Sequence, residues 1–143
     1  MQTKVLVVDS DQSWLQAITD ELGSDFEVES CSTFAEGRAA LLAGRPDLLI
    51  ANIRLNRYNG IYFGHLIRSL GLSTHCILYG LPSDVGLARE AQAAGAWFEP
   101  STSLIAGLRT HMRTLMAPGA PIPRRFTPTT HAVGAVAEPS RTM

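Results

Sequence analysis

Four apolar runs in this chain end at residues that break the pattern, and these are the positions that could carry chemistry. Asp9 follows Val5–Val8, Asn52 follows Leu48–Ala51, Gly80 follows Cys76–Tyr79 and Glu99 follows Ala96–Phe98. Ser10 and Asp11 sit directly after Asp9, so two carboxylates and a hydroxyl share one short loop. Carboxylates are the hard oxygen ligands that Mg²⁺ prefers. Asp9 and Asp11 alone bring little negative charge, which makes them weak metal candidates. Asn52 brings a neutral amide, which is no nucleophile. The loop DSDQS at 9–13 has no glycine to cradle a phosphate. The histidines His65, His75, His111 and His131 are scattered, and Cys31 and Cys76 lie at no ligand spacing. No catalytic or metal-binding constellation is expected, and the chain does not read as an enzyme.

The elements that must position these residues are legible as alternating patterns. Val5–Val8 reads as a strand buried on both faces. Leu15, Ile18 and Leu22 form one face of a helix over 12–22, capped by Ser10 or Asp11 and ended by Gly23. FEVESC at 26–31 alternates as an edge strand should. A helix over 34–42 exits at Gly44 and Pro46. Leu48–Ala51 is the third strand, and 54–60 reads as a polar loop. Phe63, Leu66, Ile67 and Leu70 give the third helix its stripe. Cys76–Tyr79 is the fourth strand. Ser83 is expected to cap a helix running to Ala94 and ended by Gly95, and Ala96–Phe98 is the last strand. Leu104, Leu108, Met112 and Leu115 line the fifth helix.

Five βα units in a row argue for an α/β fold, a doubly wound parallel sheet of flavodoxin-like (βα)₅ type with strand order 2-1-3-4-5. In that order Cys31 and Cys76 lie three strands apart, roughly 14 Å at the usual strand spacing. A disulfide needs Cα atoms within about 7 Å, so free thiols are expected. In such a sheet ligands bind at the carboxyl ends of the strands, beside the point where strand order reverses. That places Asp9, Asn52, Tyr79–Gly80 and Glu99 at one end.

The chain divides into a domain at 1–116 and a Pro-rich flexible tail at 117–143. Five of the eight prolines lie in the tail, at 118, 121, 123, 128 and 139. Its Pro121–Phe126 stretch (PIPRRF) reads as a docking motif or as a solubilising extension. The net charge is -1 and the pI about 6.4, which gives no basic footprint for nucleic acid. No apolar run approaches the roughly 18 residues of a membrane span. The start MQTKVLVVDS is not a signal peptide, so a cytoplasmic location is expected.

Taken in order, VLVVDSD (5–11), DLLIANIRLNRYNG (47–60) and AQAAGAWFEPST (91–102) resemble the receiver domain of two-component response regulators over residues 3–115. The resemblance implies a phosphorylation site of two adjacent acids that hold Mg²⁺, a nucleophilic aspartate, a Ser or Thr, and a lysine. Phosphoryl transfer depends on placing those charges. Asp9 matches the first acid, but Ser10 stands for the second, Asn52 for the phosphoacceptor and Gly80 for the hydroxyl residue. Glu99 or Pro100 falls at the lysine, and Lys4 is the only lysine in the chain. The resemblance thus implies a degenerate pseudo-receiver with a remnant pocket of Asp9, Ser10, Asn52, Gly80 and Glu99 and with Mg²⁺ binding lost or weak. Asn52 and Gly80 either lock one conformation of the switch or line a wet remnant.

Trp97 and Phe98 fall at the family's switch aromatic, on the face of the fourth helix, fifth strand and fifth helix. One ring is expected in the core and the other over the sheet edge. Tyr58 and Tyr62 are expected to pack the loop, and Arg54 and Arg57 either to be solvated loop charges or to bind an anion over the neutral pocket. The expected function is phosphorylation-independent protein–protein interaction in signal transduction. Expected partners are another signalling protein, a histidine kinase or output regulator, and a second copy in a homodimer; no nucleic acid and no membrane are expected. The alternatives are a small-ligand or anion-binding regulator using the same cleft, and a phosphoacceptor built on Asp11 or Glu99. An output domain would act in trans.

Overall fold

The computed structural model describes residues 2–116. The tail expected at 117–143 lies outside them. The element order is β1 (Thr3–Val8), α1 (Gln12–Leu22), a 3-10 turn (Gly23–Asp25), β2 (Phe26–Cys31), α2 (Phe34–Gly44) and β3 (Leu48–Asn52). Then come β4 (Arg54–Leu55), β5 (Tyr58–Asn59), α3 (Ile61–Ser69), β6 (His75–Gly80), α4 (Val85–Ala93), β7 (Trp97–Pro100) and α5 (Ser101–Met116). The sheet is parallel throughout, in the order β2-β1-β3-β6-β7. With the two-stranded ribbon β4–β5 set aside, this is the expected 2-1-3-4-5 flavodoxin-like order.

The central strands are apolar through their middles, over Val5–Val8, Leu48–Ala51 and Cys76–Tyr79, because both faces are covered. Alternation sorts their side chains into two layers. Val5, Val7, Leu48, Ile50, Ile77 and Tyr79 face α1 and α5, where Leu15, Ile18, Leu22, Leu104, Leu108 and Met112 meet them. Leu6, Val8, Leu49, Ala51, Cys76 and Leu78 face the other way, toward Leu41, Ile61, Phe63 and Ala91. Cys31 and Cys76 are free thiols. Asp11 caps α1 by accepting from the Ser13 N–H, and Gly23 ends the helix at φ 65. Thr33 caps α2 by accepting from Glu36 N, while Glu36 accepts from Ser32 N.

Several expectations need correction. Residues 54–60 are not simply a polar loop: Arg54–Leu55 pairs antiparallel with Tyr58–Asn59, and Leu55 is buried. Leu55 is the one apolar residue that the ribbon turns inward. Ser83 does not cap α4. Asp84 holds the cap position, and its carboxylate accepts from Leu81 N instead of from the helix. The α3 stripe stops short, because Leu70 follows the last helical residue and is 53% exposed. Helix α2 runs on through Gly44, and Arg45 takes the left-handed turn at φ 44.

Phe63 is buried completely and touches Phe34, whereas Leu70 lies in water. Phe63→Ala is expected to cost about 3–5 kcal/mol in urea unfolding, and Leu70→Ala to stay within about 0.5 kcal/mol. Equal losses would mean that both residues belong to the core.

Candidate functional site

The carboxyl ends of β1, β3 and β6 converge as their parallel register requires, with Val8 beside Ala51 and Asn52 beside Tyr79. Asp9 lies at this junction and is 1% exposed. A buried carboxylate must be met by donors, and three are present. The Asp11 N–H donates to Asp9 Oδ1 at 2.9 Å. Asn52 Nδ2 donates to Asp9 Oδ2 at 3.2 Å, and the Tyr79 hydroxyl donates to the same oxygen. The Tyr79 ring rests against Trp14 of α1, with centroids 5.5 Å apart. Burial, and then the Asp9 carboxylate, push the Tyr79 hydroxyl well above its ordinary range.

Asn52 also works in the other direction, because its Oδ1 accepts from Arg54 N at 2.9 Å and so starts the ribbon. The Arg54 guanidinium then reaches Asp84 with two bonds, Nη2 to Oδ1 at 2.7 Å and Nε to Oδ2 at 3.3 Å. Arg54 thereby holds Asp84 below the usual carboxylate range. This fork joins the loop after β3 to the loop after β6. The chain closes tightly around it. A Cβ at Gly60 would lie 2.5 Å from the Asn52 carbonyl oxygen, and one at Gly80 would lie 2.8 Å from Ile53 Cγ2.

Asp9, Asn52 and Tyr79 are therefore assembled, with Gly80 at their side. Ser10 is exposed. Glu99 is directed elsewhere: it accepts from Trp97 Nε1 at 3.2 Å and from Ser103 Oγ, and it pairs with His111 Nε2 at 2.7 Å. Phe98 is half-buried against the core beside Gly80, while Trp97 is 36% exposed and meets His111 edge-on at 5.0 Å. Topology alone brings Tyr79 to this end of the sheet, but its role as donor to Asp9 has no sequence signal, and neither do the ion pair of Arg54 and the pairing of His111 with Glu99. Nothing local signals partners that lie 70 residues apart, as Tyr79 and Asp9 do. Among the described residues no group of three or more His, Cys, Asp or Glu could hold a metal ion. None of their helices is long and apolar enough to cross a membrane.

Residues 5–98 match the family model described as response regulator receiver domain. A curated relative from a Nocardioides species, a protein-glutamate methylesterase/protein-glutamine glutaminase, is 28% identical over 98% of this chain. The chain spans only 41% of that protein's length. The fold superposes on a CheY-like receiver domain protein from Methanospirillum hungatei with a TM-score of 0.72 at 20% identity, covering 79% of this chain and 92% of that one. The response regulator domain of Thermotoga maritima CheB gives 0.68 at 21% identity, covering 79% and 95%.

Tyr79 also generates a pH test. Its hydroxyl ionises near pH 10 in the unfolded chain and higher in the fold. Its contribution is thus complete below that pH and is lost as pH rises above it. Tyr79→Phe is expected to lower stability by about 1–3 kcal/mol at neutral pH, because buried Asp9 Oδ2 keeps only the Asn52 amide as donor. It is also expected to soften the decline in urea midpoint above pH 10. Cys76, pushed up to about 12 by burial, declines alike in both proteins and cancels. A parallel decline in parent and variant would contradict the Tyr79 assignment.

Proposed function

The chain belongs to the response regulator receiver domain family, and from that premise we propose that it is a degenerate member working by phosphorylation-independent protein–protein contact. The observation that carries this reading is the bond from Asn52 Nδ2 to Asp9 Oδ2. Asn52 stands at the end of β3, where the resemblance puts the phosphoacceptor, and its amide cannot form an acyl phosphate. The amide instead serves as a donor to the neighbouring carboxylate. Mg²⁺ does not fit this donor set. The hydrogens of Asn52 Nδ2 and the Tyr79 hydroxyl point at the Asp9 oxygen that a cation would need.

Glu99 adds a second argument. A phosphoryl group would need a cation at this strand end, and here stands a carboxylate turned toward His111. The site lacks both the nucleophile and the charge that phosphoryl transfer requires. The Arg54–Asp84 fork supports a single fixed arrangement of the two loops that border the pocket. What the domain offers is surface. Trp97, half-exposed at the β7 edge and braced by Glu99 and His111, is a preorganised anchor of the residue type enriched in binding hot spots. The partner is a signalling protein, a histidine kinase or an output regulator.

Amide NMR spectra recorded with Mg²⁺ and then beryllofluoride, a phosphoryl mimic, test the reading. The peaks of Asp9, Asn52, Gly80 and Glu99 are expected to stay in place. Shifts at those residues that spread to Trp97 and α4 would overturn it.

A further inference from the structure

No acidic residue occurs between Asp47 and Asp84, a run that holds Arg54, Arg57, His65, Arg68 and His75. The fold displays part of this run on a surface made by α2, the β4–β5 ribbon and α3. Phe34, at the start of α2, is its centre. Tyr58 stacks on Phe34 with centroids 5.0 Å and planes 16° apart, and Tyr62 meets its edge at 6.1 Å. Phe34 in turn touches buried Phe63 at 4.7 Å, which ties the cluster to the core. The outer rings stay in water nonetheless, Tyr58 being 51% and Tyr62 52% exposed.

Two arginines lie near these rings along the chain. Arg38 lies one turn beyond Phe34 on α2, Arg57 precedes Tyr58 at the ribbon turn, and all are exposed except Phe34. Arg57 is in no ion pair among the described residues. Glu36, the acid nearest to Phe34 in sequence, is occupied by Ser32 N and Oγ. Rigid half-exposed tyrosines flanked by arginines are what interface cores are enriched in. The sign of the charge selects the occupant, since like charges across an interface are costly.

We infer that the α2–ribbon–α3 face docks an acidic segment of a partner protein. Its carboxylates meet Arg38 and Arg57, and its apolar side chains cover Tyr58 and Tyr62. The inference rests on the interaction-module reading and adds a surface separate from Trp97, which lies at the β7 edge against α5. A nucleic acid strand is disfavoured because its affinity grows with the number of phosphates neutralised, and two arginines neutralise few.

The test uses the full chain and a fluorescein-labelled helical Glu/Leu peptide, with Lys/Leu and Gln/Leu peptides as controls, read by anisotropy. Saturable binding of the Glu/Leu peptide alone is expected. The Arg38→Ala/Arg57→Ala double variant and Tyr58→Ala are each expected to weaken it about tenfold, and the arginine variant to keep its melting temperature. Absence of saturation, equal binding of the Lys/Leu peptide, or loss only in Trp97→Ala would overturn the assignment of this face. Tighter binding of an oligo-dT strand than of the Glu/Leu peptide would overturn the choice of a protein partner. If Mg²⁺ and beryllofluoride changed the affinity while the arginine and tyrosine effects persisted, the face would stand and the phosphorylation-independent reading would fall.

Discussion

Asp9 sits where three parallel strands bring their carboxyl ends together, and its charge has no water to dissolve it. An unmet carboxylate there would cost several kcal/mol. Much of the architecture at this end of the sheet follows from how the need is met. The Asp11 N–H that reaches Asp9 comes from the same residue whose side chain caps α1. The Asn52 amide that reaches Asp9 turns its oxygen to Arg54 and so sets the first residue of the ribbon. Arg54 continues to Asp84, and Asp84 to Leu81. One connected path of hydrogen bonds thus runs from the first helix across the sheet to the loop before α4.

A second, partly buried carboxylate follows the same logic at the sheet edge. Glu99 is satisfied by groups from β7 and α5, namely Trp97, Ser103 and His111. Both carboxylates direct their oxygens at protein donors.

Strand order and the placing of helices were legible because they depend on patterns within a few residues. The runs at Val5–Val8, Leu48–Ala51 and Cys76–Tyr79 can only be strands covered on both sides, and βα alternation leaves few topologies. Asp11 and Gly23 mark the ends of α1 by local chemistry. The ribbon was hidden because Leu55 is its single inward residue. The α4 cap was misplaced because Ser83 and Asp84 are both good capping types, and only the long-range pull of Arg54 tells them apart. At the site, the strand ends were predictable from topology, and the role of each position came from a resemblance. The Tyr79 hydroxyl belonged to neither kind of signal. Its partner is fixed by strand register, which no single stretch of sequence encodes.

The close approach of Ile53 to Gly80 bears on what the chain could become. Ile53 is fully buried and β-branched, so its methyl has few alternative rotamers to retreat into. Any side chain at position 80 must first displace it. A hydroxyl-bearing side chain there is therefore contingent on a prior change at 53, and that change alone would open a void in the core. Two steps are needed where the genetic code counts one, and the first is harmful by itself. The sheet end behaves as a one-way latch: a glycine at 80 is easily kept, and the arrival of any side chain there is blocked by the packing of Ile53.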